Sequence, residues 1–381
     1  MNRQRASIRS EGSGSGGSVI VNWVMNSLVS AMAMVLLLRV VLSAGLCLGP
    51  AVLGVLAIGL GAVYYPYATT YYAHNPAANL IIAAAFVAFV LEPTPWRDAL
   101  VGALAGSAVV CDYAAVFAVL ILAGALMILR RRALAPFVAG GLLPAAVLAS
   151  YHTFLFGGPA TTAYRFQNPQ FVPPDGGVLQ LPDPSALLHL TVGPYRGVFF
   201  YSPVLVLALV GAWLAIRRDD TPGDPPVERK RQVIVWAGAG LFVVQLLFNA
   251  SYHIWWGGWT AGARHMILGL VLLAPIVAMG FARFPRAGVG LLAVSVANYL
   301  AISTVLVQVD DRLTNPLFDF VYPLFLSGNI QRANLGTFLL GLEGLWSIVS
   351  LVVCATVLGL ALMRRVLSIA RLQPIDTHTL R

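Results

Sequence analysis

The chain has 381 residues, of which 59% are hydrophobic and only 10% are charged. Soluble domains carry about 25% charged residues, so this composition excludes a soluble globular protein and indicates a polytopic membrane protein. The net charge of +9 is better explained by arginines in cytoplasmic loops than by nucleic-acid binding.

The two ends of the chain differ from the apolar body between them. Residues 1–17 are basic and then rich in Gly and Ser, which predicts disorder. Residues 18–363 form the predicted transmembrane domain, and 364–381 form a short basic cytoplasmic tail. The three cysteines lie in apolar runs and are interpreted as packing residues without a disulfide.

The predicted fold class is all-α, a polytopic membrane helix bundle. A helix needs about 20 apolar residues to cross the hydrocarbon core, and with that length the chain offers about ten or eleven membrane helices. In chain order the predicted spans are Ser18–Val40, Cys47–Tyr64, a run ending at Leu91, a hairpin in Asp98–Leu129, Pro136–Phe156, Val198–Ile216, Val233–Asn249, Met266–Ala282, Ala287–Val307 and Thr337–Met363.

The Asp98–Leu129 run is too long for one crossing and has arginines at both ends. If both ends are cytoplasmic, two short helices must form a hairpin with Asp112 near its tip, facing protein or a water-filled cavity. Gly102 and Gly106 would allow close helix packing.

The arginine-rich loops can all lie on one side, which the positive-inside rule makes the cytoplasm. They include Arg217–Arg231, a proline-rich charged stretch interpreted as a linker. If successive spans alternate in direction with these loops in the cytoplasm, the N-terminus lies outside, although it carries Arg3, Arg5 and Arg9. We therefore expect that the chain lacks upstream spans or that its first span inserts differently.

The Tyr252–His265 stretch, YHIWWGGWTAGARH, interrupts long apolar runs. Its Trp255, Trp256 and Trp259 are typical of a membrane interface, and its glycines allow tight turns. Arg264 is costly at that level unless it meets an anion, and His265 follows it. The stretch predicts either an anion-binding site or an aromatic belt with a snorkelling arginine.

Other polar clusters fall on the same outer face. His74 and Asn75 start a span and could contact phosphate or sugar, or could simply mark a helix start. Arg165 lies in a long outer loop, where ordinary loop chemistry is the alternative. Arg196 lies between a Pro-Tyr turn and a glycine just before a span, with Tyr201 in the same cluster, and an interfacial anchor is the alternative. No P-loop, dinucleotide fingerprint or H-E-x-x-H motif occurs.

Four motifs together resemble a known family: YYPYATTYYAHNPAANL, VCDYAAV, YRGVFFYSPVLVLALVGAW and WWGGWTAGARHMILGLVLLAP. In this order they are similar to membrane glycosyltransferases of the GT-C superfamily, near the dolichyl-phosphate-mannose mannosyltransferase-like proteins of family 39. The resemblance implies sugar transfer from a polyprenyl-phosphate carrier to an outer-face glycan, lipid or protein acceptor. We expect no cofactor beyond this lipid-linked sugar donor, and no metal site is evident in the sequence. Arg264 matches the arginine facing the lipid phosphate, and Asp112 matches a polar position at the hairpin tip.

The resemblance also implies a first outer loop carrying an acidic base, and nothing upstream of Ser18 matches it. The base is therefore unassigned, with Asp310 and Asp311 as the first candidates. We expect the 381-residue chain to bind carrier but to turn over little alone. The alternatives are a non-catalytic remnant or partner subunit and a lipid-linked-sugar flippase.

Overall fold

The computed structural model of the protein describes residues 21–168, 177–217, 225–332 and 334–372. The predicted disordered start at 1–17 and the end of the predicted tail lie outside these residues. Helices make up most of the described chain, which contains no β-strand. The helices, in chain order, are α1 Trp23–Ser43, α2 Leu48–Gly59, α3 Tyr64–Ala68, α4 His74–Phe89, α5 Pro95–Cys111, α6 Val116–Leu129, α7 Leu134–Phe156, α8 Pro184–Thr191, α9 Val198–Tyr201, α10 Val206–Ile216, α11 Pro225–Ser251, α12 Arg264–Arg283, α13 Pro285–Val305, α14 Leu317–Leu326, α15 Leu335–Leu340 and α16 Trp346–Leu372.

Length and hydropathy make α1, α7, α11, α12 and α13 suitable for crossing a membrane. Several further helices are apolar but only 10–17 residues long. Helix α12 is the central one, with 83% of its most apolar stretch buried, whereas α7 has only 17% buried. The prediction of an all-α, multi-pass membrane bundle is confirmed, with α12 in its middle and α7 on its rim.

The Asp98–Leu129 run folds as two helices, α5 and α6, with the break at Asp112. Thr94 caps α5 by accepting from the backbone N–H of Arg97, and Pro95 begins its first turn. The two far ends meet because the Arg130 guanidinium donates to the Asp98 carboxylate at 2.8 Å. The predicted hairpin is thus present, closed at its base by a buried carboxylate.

This ion pair yields a prediction about topology. Single cysteines introduced by Arg97→Cys and Arg132→Cys, in a background without the native cysteines, should react with an impermeant maleimide from the same face of the membrane. The reason is that the Asp98–Arg130 pair holds both flanks at one end of the hairpin. Labelling from opposite faces would contradict the hairpin.

The glycines of α5 do pack closely, but their partner is α7 and not α6. A Cβ on Gly102 would lie 1.8 Å from the carbonyl oxygen of Phe137, and one on Gly140 would lie 1.8 Å from that of Ala99. A Cβ on Gly106 would lie 2.6 Å from the Cγ atom of Pro144. Backbones this close need small residues on both helices.

We expect Gly102→Ala to destabilise the protein by roughly 1–3 kcal/mol or more, because overpacking forces the two helices apart. Gly124→Ala in α6 is the matched control, since a Cβ there meets nothing within 4 Å. Thermal unfolding of both variants in detergent checks this. Equal midpoints for the two would contradict the close α5–α7 contact.

Three predicted boundaries are wrong. Val198–Ile216 is interrupted at Ser202, because Pro203 follows it and has no N–H to continue a helix. The predicted charged linker is helical from Pro225 onward. The last predicted span breaks between α15 and α16, where Gly341 and Gly344 have positive φ, and Glu343 lies in that break with its carboxylate 3.0 Å from Arg332.

Candidate functional site

The centre of the candidate site is a hydrogen bond between His74, at the start of α4, and Asp112, at the hairpin break. Their Nδ1 and Oδ2 atoms are 2.6 Å apart, and the side chains are 18% and 15% exposed. The second carboxylate oxygen, Oδ1, accepts the backbone N–H of Ala114 at 3.0 Å. Two predicted site residues that are 38 positions apart in the chain are thereby joined.

The charge on Asp112 fixes the proton on His74. The 2.6 Å separation of Nδ1 and Oδ2 is that of a hydrogen bond, so one proton lies between these two atoms. A carboxylate only accepts hydrogen bonds, so Nδ1 of His74 carries the proton that points to it. The Nε2 atom is then the one left to accept a proton from another molecule.

His74 is held in place by a buried polar cluster beneath α4. Asn75, which is fully buried, donates to the Ser30 hydroxyl at 2.6 Å and to the Asn26 side-chain oxygen at 3.3 Å. Asn26 in turn donates to the Tyr67 and Thr70 carbonyls, at 2.9 and 2.7 Å. Asn75 therefore fixes the start of α4 and, being buried, lies behind the site.

The loop between α11 and α12 turns back on itself through glycines. Gly257, Gly258 and Gly262 have φ values of 76°, 67° and 83°, a region that favours glycine. The turn brings the His265 ring to 5.2 Å from the His74 ring and 6.2 Å from the Tyr252 ring. The predicted loop and the hairpin tip therefore meet at His265.

Arg264 is a cation without an acidic partner among the described residues. Its guanidinium carbon lies 5.6 Å from the centre of the Tyr72 ring, and its Nε atom is buried without a hydrogen-bond partner. A buried guanidinium donor that lacks an acceptor is costly, and an anion would satisfy it. The residue thus has the properties expected of a phosphate ligand.

A cavity of about 410 Å³ opens beside the His74–Asp112 pair. It is bounded by α6, by α11 and by the loop, with His265 and Tyr252 in its wall. Aromatic side chains line much of the rest, including Phe117, Tyr164 and Phe248. Arg264 precedes the wall residue His265 in the chain. Its guanidinium lies over the Tyr72 ring, which packs against Tyr67 near His74.

Arg196, another predicted site residue, is fully buried. Its guanidinium donates to the carbonyls of Trp256 at 2.9 Å, Gly258 at 3.1 Å and Tyr195 at 2.9 Å. Arg196 therefore positions the loop and does not face the cavity. Tyr201 is also fully buried, with its hydroxyl 3.3 Å from the Tyr195 carbonyl, so it too lies behind the site.

The three tryptophans of the loop have separate environments. Trp255 stacks on His189, with ring centres 5.8 Å apart. Trp256 donates from Nε1 to the Asp311 carboxylate at 3.3 Å. Trp259 is 54% exposed, as expected of an interfacial residue.

The remaining predicted residues lie at the edge of this region. Asp311 is tied to the loop through Trp256, and its backbone carbonyl accepts from the Tyr195 hydroxyl at 2.7 Å. The Asp310 carboxylate accepts from the Arg312 N–H at 3.0 Å. Arg165 is exposed on the short turn Ala163–Phe166, next to the cavity residue Tyr164.

Sequence reasoning missed a second hydrogen bond at the hairpin tip. The Tyr113 hydroxyl lies 2.8 Å from Nε2 of His152, a buried residue of α7 whose Nδ1 lies 3.2 Å from the Pro159 carbonyl. A carbonyl only accepts, so Nδ1 carries the proton and Tyr113 donates to Nε2. A histidine inside an apolar run was the available signal.

Among the described residues, no group of three or more His, Cys, Asp or Glu side chains could hold a metal ion. No protein-family model, curated protein or solved structure matches the chain.

Proposed function

We propose that the protein transfers a sugar from a polyprenyl-phosphate carrier to a hydroxyl acceptor, at the end of the bundle that faces away from the cytoplasm. The observation that carries the proposal is the His74–Asp112 hydrogen bond in the wall of an aromatic cavity. His265 of the same wall is the chain neighbour of Arg264, which has no acidic partner among the described residues. A base, a sugar-sized cavity and an anion ligand are the parts that such a transfer needs.

In the proposed step, the acceptor oxygen attacks the anomeric carbon of the sugar while its proton passes to Nε2 of His74. The bond between that carbon and the phosphate oxygen breaks, and its electron pair stays on the phosphate. Arg264 stabilises the charge that develops there, as a fixed guanidinium suits a phosphate. Asp112 stabilises the imidazolium that forms on His74.

The Asp112–His74 pair changes the expectation of weak turnover. That expectation was made because the sequence alone assigns no catalytic base to the site that contains Arg264. With His74 as the base, we expect the chain itself to support transfer. Asp310 and Asp311 remain alternatives, and of the two Asp311 contacts the same loop.

The purified chain in lipid vesicles, given a panel of radiolabelled polyprenyl-phosphate sugars, tests the proposal. We expect the carrier–sugar bond of at least one donor to be cleaved, with release of polyprenyl phosphate, and His74→Gln to abolish the release. Movement of an intact donor across the bilayer without cleavage would instead indicate the flippase. Binding without either reaction would indicate a non-catalytic subunit.

A further inference from the structure

A second cavity, of about 430 Å³, lies on the other side of the His74–Asp112 pair. It shares only four lining residues with the first: His74, Asp112, Tyr113 and Tyr164. The rest of its wall comes from the ends of α5 and α7 and from Ala73, and contains Val110, Val147, Leu148 and Tyr151. The proposed base therefore faces two spaces, one on each side.

The two cavities differ in their relation to the phosphate ligand. The first includes Tyr252 and His265 from the loop that carries Arg264, whereas the second includes no residue of that loop. If Arg264 holds the phosphate of the donor, the donor sugar occupies the first cavity. The second cavity is then left for the acceptor, which must approach the anomeric carbon from the side opposite the leaving phosphate for a direct displacement.

The wall of the second cavity identifies the kind of acceptor. It is formed on one side by α7, the rim helix, on which Val147 and Tyr151 are 52% and 53% exposed. Exposed apolar side chains on a membrane-spanning helix face lipid and not water. A wall of this kind suits an acceptor whose acyl or prenyl chain lies in the membrane beside α7.

We infer that the second cavity binds the acceptor and that this acceptor is lipid-anchored, with its hydroxyl directed at Nε2 of His74 and its chain passing out beside Val147. The inference rests on the proposed function, since it assigns the acceptor of the same transfer. The acceptor loses its hydroxyl proton to His74 and gains the sugar on its oxygen, and the donor leaves as polyprenyl phosphate.

Cys111 provides a test that needs no donor, because it lines this cavity and is exposed. In a Cys47→Ser, Cys354→Ser background, the rate of Cys111 alkylation by a maleimide is measured with dioleoylglycerol and with glycerol, which present the same hydroxyl with and without chains. The acyl chains of dioleoylglycerol bury apolar surface in the cavity and glycerol has none to bury, so dioleoylglycerol should slow alkylation at least about fivefold and glycerol should not. Equal rates with the two compounds would overturn the inference.

A variant that fills the cavity gives the second measurement. Val147→Trp should remove the protection by dioleoylglycerol and lower transfer to this lipid about tenfold or more, while undecaprenyl phosphate binds as tightly as to the wild type. Leu143→Trp is the matched control, since Leu143 is 71% exposed on the same helix and lines neither cavity. Transfer by Val147→Trp at the level of Leu143→Trp would overturn the inference.

The outcomes separate the two proposals. If the wild type neither binds undecaprenyl phosphate nor cleaves a donor, the proposed function fails. If it cleaves a donor but serves glycerol as well as dioleoylglycerol, only the lipid-anchored acceptor is wrong. If Val147→Trp does not fold, alkylating Cys111 of the folded protein with a bulky maleimide fills the same space, and should then abolish transfer to dioleoylglycerol without changing donor binding.

Discussion

The Asp112→Asn variant should transfer sugar about 10²–10⁴-fold more slowly than the wild type, which is the usual contribution of a positioned general base. The carboxylate holds the proton on Nδ1 of His74 and leaves Nε2 free. An asparagine at this position is neutral and can present its amide N–H to the ring, which favours the opposite tautomer and withdraws stabilisation of the imidazolium. Turnover is measured with saturating donor in vesicles.

Asp183→Asn is a matched control for this loss. Like Asp112, Asp183 caps a helical turn by accepting a backbone N–H two residues ahead, that of Ser185 at 2.9 Å, but it bonds no histidine. Because an asparagine side chain also accepts a backbone N–H at this position, both Asp112→Asn and Asp183→Asn keep the helix cap. Because Asp112 acts through His74, the Asp112→Asn, His74→Gln double variant should be no slower than the His74→Gln single variant. Equal activity of Asp112→Asn and Asp183→Asn would show that the pair has no part in the chemistry.

The second large effect concerns the affinity for the carrier. We expect Arg264→Lys to weaken undecaprenyl phosphate binding at least about tenfold, because a lysine cannot reproduce a bidentate guanidinium contact and a charge-assisted hydrogen bond contributes about 1.5–3 kcal/mol. A titration of the protein in nanodiscs, followed by the fluorescence of the nearby tryptophans, measures it.

Arg286→Lys makes the same substitution at the start of α13, away from the loop, and should bind like the wild type. The folding of Arg264→Lys is checked by its thermal midpoint. If the folded variant binds undecaprenyl phosphate normally, Arg264 is an interfacial anchor, and the aromatic-belt interpretation of the loop is correct.

The helices and the hairpin could be predicted because their causes are local. Apolar length marks a span, and the arginines flanking an over-long run require a return at Asp112. The packing partner of Gly102 could not be predicted in the same way. Glycine spacing shows that some helix approaches closely, but only the structure shows that α7, and not α6, is that helix.

The candidate site was predictable as a set of residues and not as an arrangement. His74 and Asp112 were both singled out, but their pairing depends on how α4 packs against the hairpin. The arginines show the same limit. Arg196 and Arg264 have similar glycine-rich, aromatic surroundings in sequence. Arg196 donates to three carbonyls, whereas the buried Nε atom of Arg264 has no partner within the described part of the chain.

The most direct measurement is an experimental structure of the protein in nanodiscs with a non-cleavable polyprenyl phosphonate analogue of the sugar donor. We predict that the phosphonate oxygens lie about 2.7–2.9 Å from the Arg264 guanidinium, the range for charge-assisted bonds, with the sugar in the cavity beside His74. Density for the phosphonate at the opposite end of the bundle, among Arg130, Arg131 and Arg132, with the His74 cavity empty, would contradict the account.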